Sequence, residues 1–154
     1  MAKLSVIKTA TLLAIDPGAC SGWALFRAGQ LTEAGVASPD HAGSSFGGRR
    51  FDVVVIEIPN AHEKRNAAPS TVQDLFTLCV RAGRLIERAR PAKVRYVLPS
   101  AWKGQIDKEV CAKRVLRTLS EAELACIPAI PLGKIHNCYD AIGIGLYALG
   151  RFGR

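Results

Sequence analysis

Two stretches of the chain are apolar without interruption, and each ends in a carboxylate. The first is Leu12–Ile15, followed by Asp16, and the second is Val53–Ile56, followed by Glu57. Apolar runs of this length are typical of strands that are buried on both faces, and the second run consists only of β-branched residues. We therefore predict two central strands, at Thr11–Asp16 and within the segment Phe51–Pro59, each with an acid at its end.

Three further segments predict the remaining strands. Gly22–Arg27 and Gln30–Ala37 are separated by a turn at Gly29, and with Thr11–Asp16 they predict a three-stranded antiparallel meander. The segment Ser38–Arg50 is rich in Ser, Gly, Pro and Asp and predicts a loop. Val94–Leu98 predicts a fifth strand.

A long helix is predicted from Thr71 to Arg90, with Ser70 as N-cap and Gln73 at the capping-box position. It carries two apolar stripes. We expect the first to face the sheet (Val72, Leu75, Phe76, Cys79, Gly83 and Ile86) and the second to lie beside it (Leu75, Leu78, Ala82, Leu85 and Ala89). Two stripes indicate burial on two sides, against either another helix of this chain or a second copy of it.

Two later helices complete the prediction. Asp107–Leu119 is apolar on one side and basic on the other, and its basic side is either solvated or in contact with phosphate. After the connector Ile127–Gly133, the final helix is predicted from Cys138 to Leu149. Gly143 and Gly145 lower helix propensity, so we expect them to let this helix approach the sheet closely.

Composition places the chain among globular proteins. It has 154 residues, of which 49% are hydrophobic, which predicts a single domain over residues 1–154. No apolar run is long enough to span a membrane, and the amino-terminal apolar segment is too short for a secretory signal. The five cysteines are widely and irregularly spaced, which predicts neither disulfides nor a zinc site and indicates a reducing cytoplasm.

The chain is basic. It has 21 Lys and Arg against 13 Asp and Glu, a formal net charge of +8, and an excess of this size attracts polyanions. A merely soluble basic protein would show the same charge. Because acids also stand at the ends of apolar elements, the combination favours a metal-dependent enzyme that acts on phosphate.

Three acids carry that hypothesis: Asp16, Glu57 and Asp140. Each has a structural alternative, since Asp16 precedes a Pro-Gly turn and Asp140 could lie in the first helical turn with Asn137 as N-cap. Glu57 is harder to explain structurally, because it ends a β-branched run. Carboxylates that converge repel one another and need a cation, and oxygen ligands favour Mg²⁺ or Mn²⁺. Two such ions about 4 Å apart can drive phosphodiester hydrolysis.

Three motifs resemble the catalytic elements of RuvC-type Holliday junction resolvases, which belong to the RNase H-like superfamily. They are Ile15-Asp16-Pro17-Gly18, Val55-Ile56-Glu57 and His136-Asn137-Cys138-Tyr139-Asp140-Ala141-Ile142. The element Pro99-x-x-Trp102-Lys103, with Lys108, is similar to that of compact, virus-type members. The resemblance covers nearly the whole chain in order. It implies an α/β RNase H-like (RuvC-like) fold, with a five-stranded mixed sheet flanked by helices.

The same resemblance implies an activity and a partner. The enzyme would be a Mg²⁺-dependent homodimer, with Mn²⁺ as a substitute and two ions in each active site. It would nick two strands of a four-way DNA junction symmetrically and leave 5′-phosphate ends. The two-fold symmetry of such a junction matches that of an isologous dimer. The resemblance also implies a role in DNA recombination and repair, in the cytoplasm of a bacterial cell or virus-infected host cell.

Site residues follow from the matched positions. Asp16, Glu57 and Asp140 would be metal ligands. The family's usual fourth ligand, Asp or His three residues before the last Asp, is here Asn137, so His136 and Asn137 are both candidates. Lys108 would hold the scissile phosphate. Trp102 would be a hydrophobic plug or a ring that stacks on an unpaired base. The other candidate DNA contacts are basic: Lys64, Arg65, Lys103, Lys113, Arg114 and Arg117.

Two other functions remain open at this point. One is an RNase H-like nuclease that acts on other branched DNA or on an RNA–DNA hybrid. The other is a non-catalytic module that binds junctions. A sugar-kinase-like or actin-like ATPase is disfavoured, because the chain is too short for duplicated nucleotide-clamping domains and has no P-loop.

Overall fold

The computed structural model describes residues 10–38, 45–46, 48–59 and 72–152. Its centre is a five-stranded sheet. The strands are β1 (Thr11–Asp16), β2 (Ser21–Arg27), β3 (Gln30–Ala37), β4 (Val53–Glu57) and β5 (Lys93–Val97). Their order across the sheet is β3-β2-β1-β4-β5.

The sheet is mixed, as predicted. β1, β2 and β3 form the antiparallel meander, whereas β4 pairs parallel to both β1 and β5. All five predicted strands are present, and their ends differ from the predicted ones by at most two residues. The central pair β1 and β4 is buried on both faces, which is why its sequence is continuously apolar.

In the described part of the chain, the helices that connect and flank the strands include α1 (Val72–Ala89), α2 (Pro99–Trp102), α3 (Lys108–Thr118), α4 (Glu121–Leu124) and α5 (Leu132–Ala148). The Asp107 side chain caps α3 by accepting a hydrogen bond from the Glu109 N–H. Ser120 and Glu123 form a reciprocal capping box that starts α4. The predicted N-cap of α1, Ser70, lies outside the described residues.

The two faces of the sheet bury separate apolar clusters. One contains alternate residues of β1 and β4, such as Leu12 and Val55, packed against Ile142 and Leu146 of α5. The other contains Leu13 and residues of α1. The alternation follows from the two-residue period of a strand. The fold is therefore a three-layer arrangement in which α1 and α5 cover opposite faces.

The prediction for the start of the last helix is wrong. α5 begins at Leu132, with Pro131 at the N-cap, which is six residues before the predicted start. Proline is well suited to a helix start but interrupts a helix interior, so the helix extends back to the end of the Pro-containing connector. Asp140 consequently lies in the middle of the helix. It is not a first-turn residue, and Asn137 is not its cap.

The glycines of α5 do permit close approach. A Cβ on Gly145 would collide with the Phe26 ring of β2, which supports the expectation that this helix lies tightly on the sheet. Gly143 differs from that expectation, because it faces the Trp102 ring instead of a strand.

The predicted orientation of α1 is also wrong. Ala82, Leu85 and Ala89, which belong to the second stripe, are buried against the sheet, whereas Phe76 of the first stripe is 63% exposed. Small alanines allow the helix backbone to approach the strands, and this packing turns the bulkier stripe outward. Val80 lies one turn after Phe76 and is 61% exposed, so the outer face of α1 carries two adjoining apolar side chains.

All five cysteines are free thiols. Cys111 and Cys138 are buried, and burial raises their pKa values to about 11 and about 12. Both thiols are therefore protonated and inert at neutral pH. Among the described helices, none has both the length and the apolar character that crossing a membrane requires.

A buried ion pair ties the carboxyl-terminal end of the chain to the β2–β3 hairpin. Glu123 is 2% exposed, and its carboxylate accepts hydrogen bonds from the Arg151 guanidinium at 2.6 and 2.9 Å and from the Leu31 N–H at 2.9 Å. Arg151 also donates to the Gly29 carbonyl. Although burial opposes ionisation, the hydrogen bonds from Arg151, Ser120 and Leu31 outweigh it and lower the pKa of Glu123 to about 2.

We predict that Arg151→Met lowers the free energy of unfolding at pH 7 by about 3 kcal/mol, because it leaves a buried carboxylate without its partner. The pKa of Glu123 is about 2 in the folded state, against an ordinary value of 4.5. Its stabilisation is therefore present above pH 5 and lost towards pH 2. Denaturant unfolding across this range measures both effects. The control is Arg27→Met, at an exposed position. Equal stability of the two variants would contradict the prediction.

Candidate active site

Asp16 and Glu57 are brought together by the pairing of β1 with β4. The two strands run parallel, and Ile15 lies opposite Ile56 in the register. The acid that follows each of these residues therefore stands at the same edge of the sheet. This placement is the one that the two apolar runs predict.

Asp140 reaches this edge from α5, which packs across β1 and β2. The residue is 8% exposed, which is low for a carboxylate. Isolated carboxylates are costly to bury, so a buried Asp140 beside two further acids requires positive charge nearby.

Lys103, the residue that follows α2, supplies positive charge. Its Nζ lies 3.5 Å from Asp140 Oδ2 and 3.9 Å from Glu57 Oε2. The pKa of Lys103 is raised above its usual value: burial lowers it, but Glu57, Asp140 and Asp16 together raise it further. One ammonium group is thus shared between two carboxylates in the centre of the site.

Trp102, the last residue of α2, contacts the same cluster. Its side chain is 2% exposed, and Nε1 donates a hydrogen bond of 2.6 Å to Glu57 Oε2. The ring also packs edge-on against Phe152, with centroids 5.8 Å apart. A ring in this position is not accessible to a DNA base. The structure therefore favours the plug over the stacking platform.

The pKa of Asp16 is strongly raised. Burial, followed by the charges of Glu57 and Asp140, raises its pKa to about 8, against smaller opposing effects of Lys103 and Lys108. Asp16 therefore holds a proton at neutral pH. A cation placed among the three carboxylates would release that proton, because it would favour the charged form.

The donor set suits a hard divalent cation in its chemistry. It consists of carboxylate oxygens, which are the ligands that Mg²⁺ and Mn²⁺ prefer, and their mutual repulsion is relieved by positive charge. In the described part of the chain, however, no three His, Cys, Asp or Glu side chains are grouped closely enough to hold a metal ion. The ammonium of Lys103 lies where the carboxylates converge.

The two candidates for a fourth ligand lie one helical turn before Asp140. His136 and Asn137 are four and three residues away from it on α5, hence on the same side of the helix. The Asn137 backbone carbonyl packs against Gly22 of β2. For the residues that the structure describes, no side-chain hydrogen bond or ion pair of His136 or Asn137 is present. The choice between them stays open.

Four of the predicted DNA contacts lie on α3. Lys108 at its start contributes to the field at Asp16. Lys113, Arg114 and Arg117 are exposed on its outer side. Lys64 and Arg65 lie outside the described residues.

A cavity of about 290 Å³ separates α2 from α3 and is lined by Lys103 and Arg114 among others. A wider one, about 810 Å³, lies at the opposite end of the sheet, around Arg50 and Arg90.

Sequence reasoning placed Lys103 among the DNA contacts and did not anticipate its position between the carboxylates. The signal was present, because Lys103 directly follows a tryptophan that the same motif contains. What the pattern did not reveal is that α2 ends beside Glu57. This position arises because β5 pairs in parallel with β4, with Val97 opposite Glu57, and α2 follows β5 directly.

The fold is similar to that of solved RuvC structures. "T. thermophilus RuvC in complex with Holliday junction substrate" superposes with a TM-score of 0.60 at 18% sequence identity, over 92% of this chain and 96% of that chain. A second Thermus thermophilus RuvC structure superposes with a TM-score of 0.53 at 16% identity, over 92% and 95%.

This chain has a RuvC-like fold. No protein-family model matches the sequence, and no curated protein does. At such low identity the likeness concerns the fold. The predicted RNase H-like architecture is thereby confirmed. In this chain Asp16 and Glu57 end β1 and β4, and Asp140 lies on α5.

We predict that Asp16→Asn stabilises the metal-free protein and that the gain grows between pH 5 and pH 8. The carboxyl ionises near 3.8 in the unfolded chain and at about 8 in the folded one. Between these values the unfolded state binds fewer protons, so wild-type stability falls as pH rises. Thermal unfolding in a chelator should show a melting temperature about 2–4 °C higher for each kcal/mol gained. A constant difference, or none, would contradict the prediction. Asp107→Asn, at an exposed N-cap, is the control.

Proposed function

We propose that this protein is a structure-selective DNA endonuclease that resolves four-way junctions by metal-dependent hydrolysis of phosphodiester bonds. The observation that carries the proposal is the placement of Asp16, Glu57 and Asp140 at one edge of the sheet in a RuvC-like fold, with Lys103 between Glu57 and Asp140. The related fold in the Thermus protein occurs with a Holliday junction as substrate. The net charge of +8 supports a polyanionic substrate.

Asp16, Glu57 and Asp140 would hold Mg²⁺ or Mn²⁺, with His136 or Asn137 as the fourth ligand. When bound, two such ions supply activation of a water and charge stabilisation of the leaving oxygen. Asp16, whose pKa is raised to about 8 by burial and the neighbouring carboxylates, would ligate in its charged form, which a cation favours. Lys103 and Lys108 would contact the scissile phosphate with their ammonium groups.

The basic side of α3 extends the proposed DNA interface. Lys113, Arg114 and Arg117 continue from Lys108 along an exposed surface next to the site. Phosphate contacts of this kind position a duplex without reading its sequence. With Lys64 and Arg65, which follow Glu57 in the chain, they would hold the arms of a junction. Binding should then weaken with salt, with a log–log slope of about −0.9 per phosphate.

The outer face of α1 supports a homodimer. Phe76 and Val80 are four residues apart on this face and are both more than half exposed. Exposed apolar side chains that adjoin one another mark interaction surfaces. Two copies joined through α1 by a two-fold axis would present two active sites to the two symmetric strands of a junction.

We predict that Glu57→Gln and Asp140→Asn each reduce cleavage of a four-way junction by about 10²–10³-fold and leave junction binding within about threefold. Metal ligation contributes several kcal/mol to the transition state, and each 1.36 kcal/mol is a factor of ten in rate. Gel analysis of a mobile junction in Mg²⁺ with mapped nick positions measures cleavage, and fluorescence anisotropy in a chelator measures binding. Undiminished cleavage by either variant would refute the proposed site.

The substrate is tested by competition in the same assay. Equal amounts of four-way junction, linear duplex and RNA–DNA hybrid are incubated with wild-type protein, and symmetric nicks in the junction are expected. Preferential cleavage of the hybrid would favour the hybrid-directed nuclease. Junction binding without nicking in either Mg²⁺ or Mn²⁺ would favour the non-catalytic module.

We predict that the double variant Phe76→Glu/Val80→Glu is monomeric, because four like charges would meet at the two-fold axis. Sedimentation velocity at several protein concentrations measures the assembly. Paired nicking should then become single nicking. Tyr96→Glu, at a residue of β5 that is 62% exposed, is the matched control and should remain dimeric. A monomeric wild-type protein would contradict the dimer without affecting the carboxylate site.

A further inference from the structure

The indole of Trp102 makes a polar contact that a core plug does not need. Its Nε1 donates to Glu57 Oε2 at 2.6 Å, which is short for an N–H donor and typical of a charged acceptor. One oxygen of the candidate ligand is thus engaged by a side chain that is 2% exposed. The hydrogen bond restricts how the carboxylate can rotate.

The same ring contacts the cation of the site. Lys103 Nζ lies 5.0 Å from the centroid of the Trp102 ring, within the range of a cation–π interaction. From there the ammonium reaches both Glu57 and Asp140. Trp102 therefore contacts one carboxylate through its edge and the shared ammonium through its face.

The position of the ring is set by α5. Gly143 faces it so closely that a Cβ at this position would lie 2.5 Å from Cζ3 of Trp102 and 3.1 Å from Val115. Phe152 closes the far side with an edge-on contact at 64° between ring planes. The helix that carries Asp140 thus also determines where the indole that holds Glu57 can lie.

We propose that Trp102 is a positioning residue of the carboxylate site. It holds Glu57 through Oε2, and with it the orientation of the carboxylate that would ligate a metal ion, and it places the Lys103 ammonium beside Glu57 and Asp140. This inference rests on the proposed metal-dependent function. It adds that Gly143 acts on the site through Trp102, although it lies on a helix face that no substrate need touch.

The first test separates the indole N–H from the bulk of the ring. Trp102→Phe retains an aromatic ring beside Phe152 and removes the donor. Residues that orient metal ligands typically contribute about 10–100-fold to metal affinity, so we expect Mg²⁺ binding, measured calorimetrically, to weaken by about that factor. Trp23→Phe is the matched control, because Trp23 Nε1 is buried without a hydrogen-bond partner among the described residues. Its Mg²⁺ affinity should equal that of wild type.

The second test reaches Trp102 without altering its chemistry. Gly143→Ala should displace the ring and weaken Mg²⁺ binding in the same direction as Trp102→Phe. Gly83→Ala, on α1 where a Cβ meets nothing within 4 Å, is the control and should leave the affinity unchanged. Thermal unfolding of each variant identifies any loss of Mg²⁺ binding that is due to unfolding.

The spectroscopic readout uses the two tryptophans of the chain. In ¹⁵N-labelled protein, the indole N–H resonance of Trp102 should lie downfield, and it should shift on addition of Mg²⁺ and in Glu57→Gln, whereas that of Trp23 stays in place. The inference would be overturned if Trp102→Phe bound Mg²⁺ with wild-type affinity, or if the Trp102 indole resonance had the same position in Glu57→Gln as in wild type. Neither result would contradict the proposed nuclease. A wild-type protein that binds no Mg²⁺ would overturn both.

Discussion

Repulsion among three carboxylates at one buried edge is the constraint on which the rest of this structure depends. β1 and β4 deliver Asp16 and Glu57 to the same edge because they pair in parallel, and α5 adds Asp140. Lys103 lies between Glu57 and Asp140, and the pKa of Asp16 is raised to about 8, so both features reduce the repulsion. Each of these features compensates for charge that would otherwise be too costly to bury.

The contacts that stabilise the fold lie apart from the carboxylates that repel one another. Apolar clusters on both faces of the sheet, together with the Glu123–Arg151 pair on the side of the β2–β3 hairpin, hold the layers without involving the acids. The site can then retain unfavourable charge interactions that a cation would relieve. The free energy of unfolding is a small difference between large opposing terms. The repulsion is tolerated because it is confined to one edge of an otherwise well-packed fold.

The fold by itself does not specify a reaction, since one architecture can support many chemistries. Asn137 replaces a charged ligand that the family resemblance implies, and the indole of Trp102 engages Glu57. The carboxylates, the ammonium that they share and the tryptophan next to it are therefore the features that decide between a nuclease and a binding module. They form one connected set, in which a change at Gly143 reaches Glu57 through Trp102.

The sequence by itself determined the strands and the acids at their ends. Burial on both faces requires an uninterrupted apolar run, and a carboxylate must then lie at the edge, so a local pattern was sufficient for Asp16 and Glu57. Only the tertiary structure decided which stripe of α1 faces the sheet, because both stripes are apolar and the alanines allow the closer approach. It also decided that α5 begins at Leu132 and that Lys103 lies between Glu57 and Asp140. These depend on contacts between segments far apart in the chain, and no local periodicity contains them.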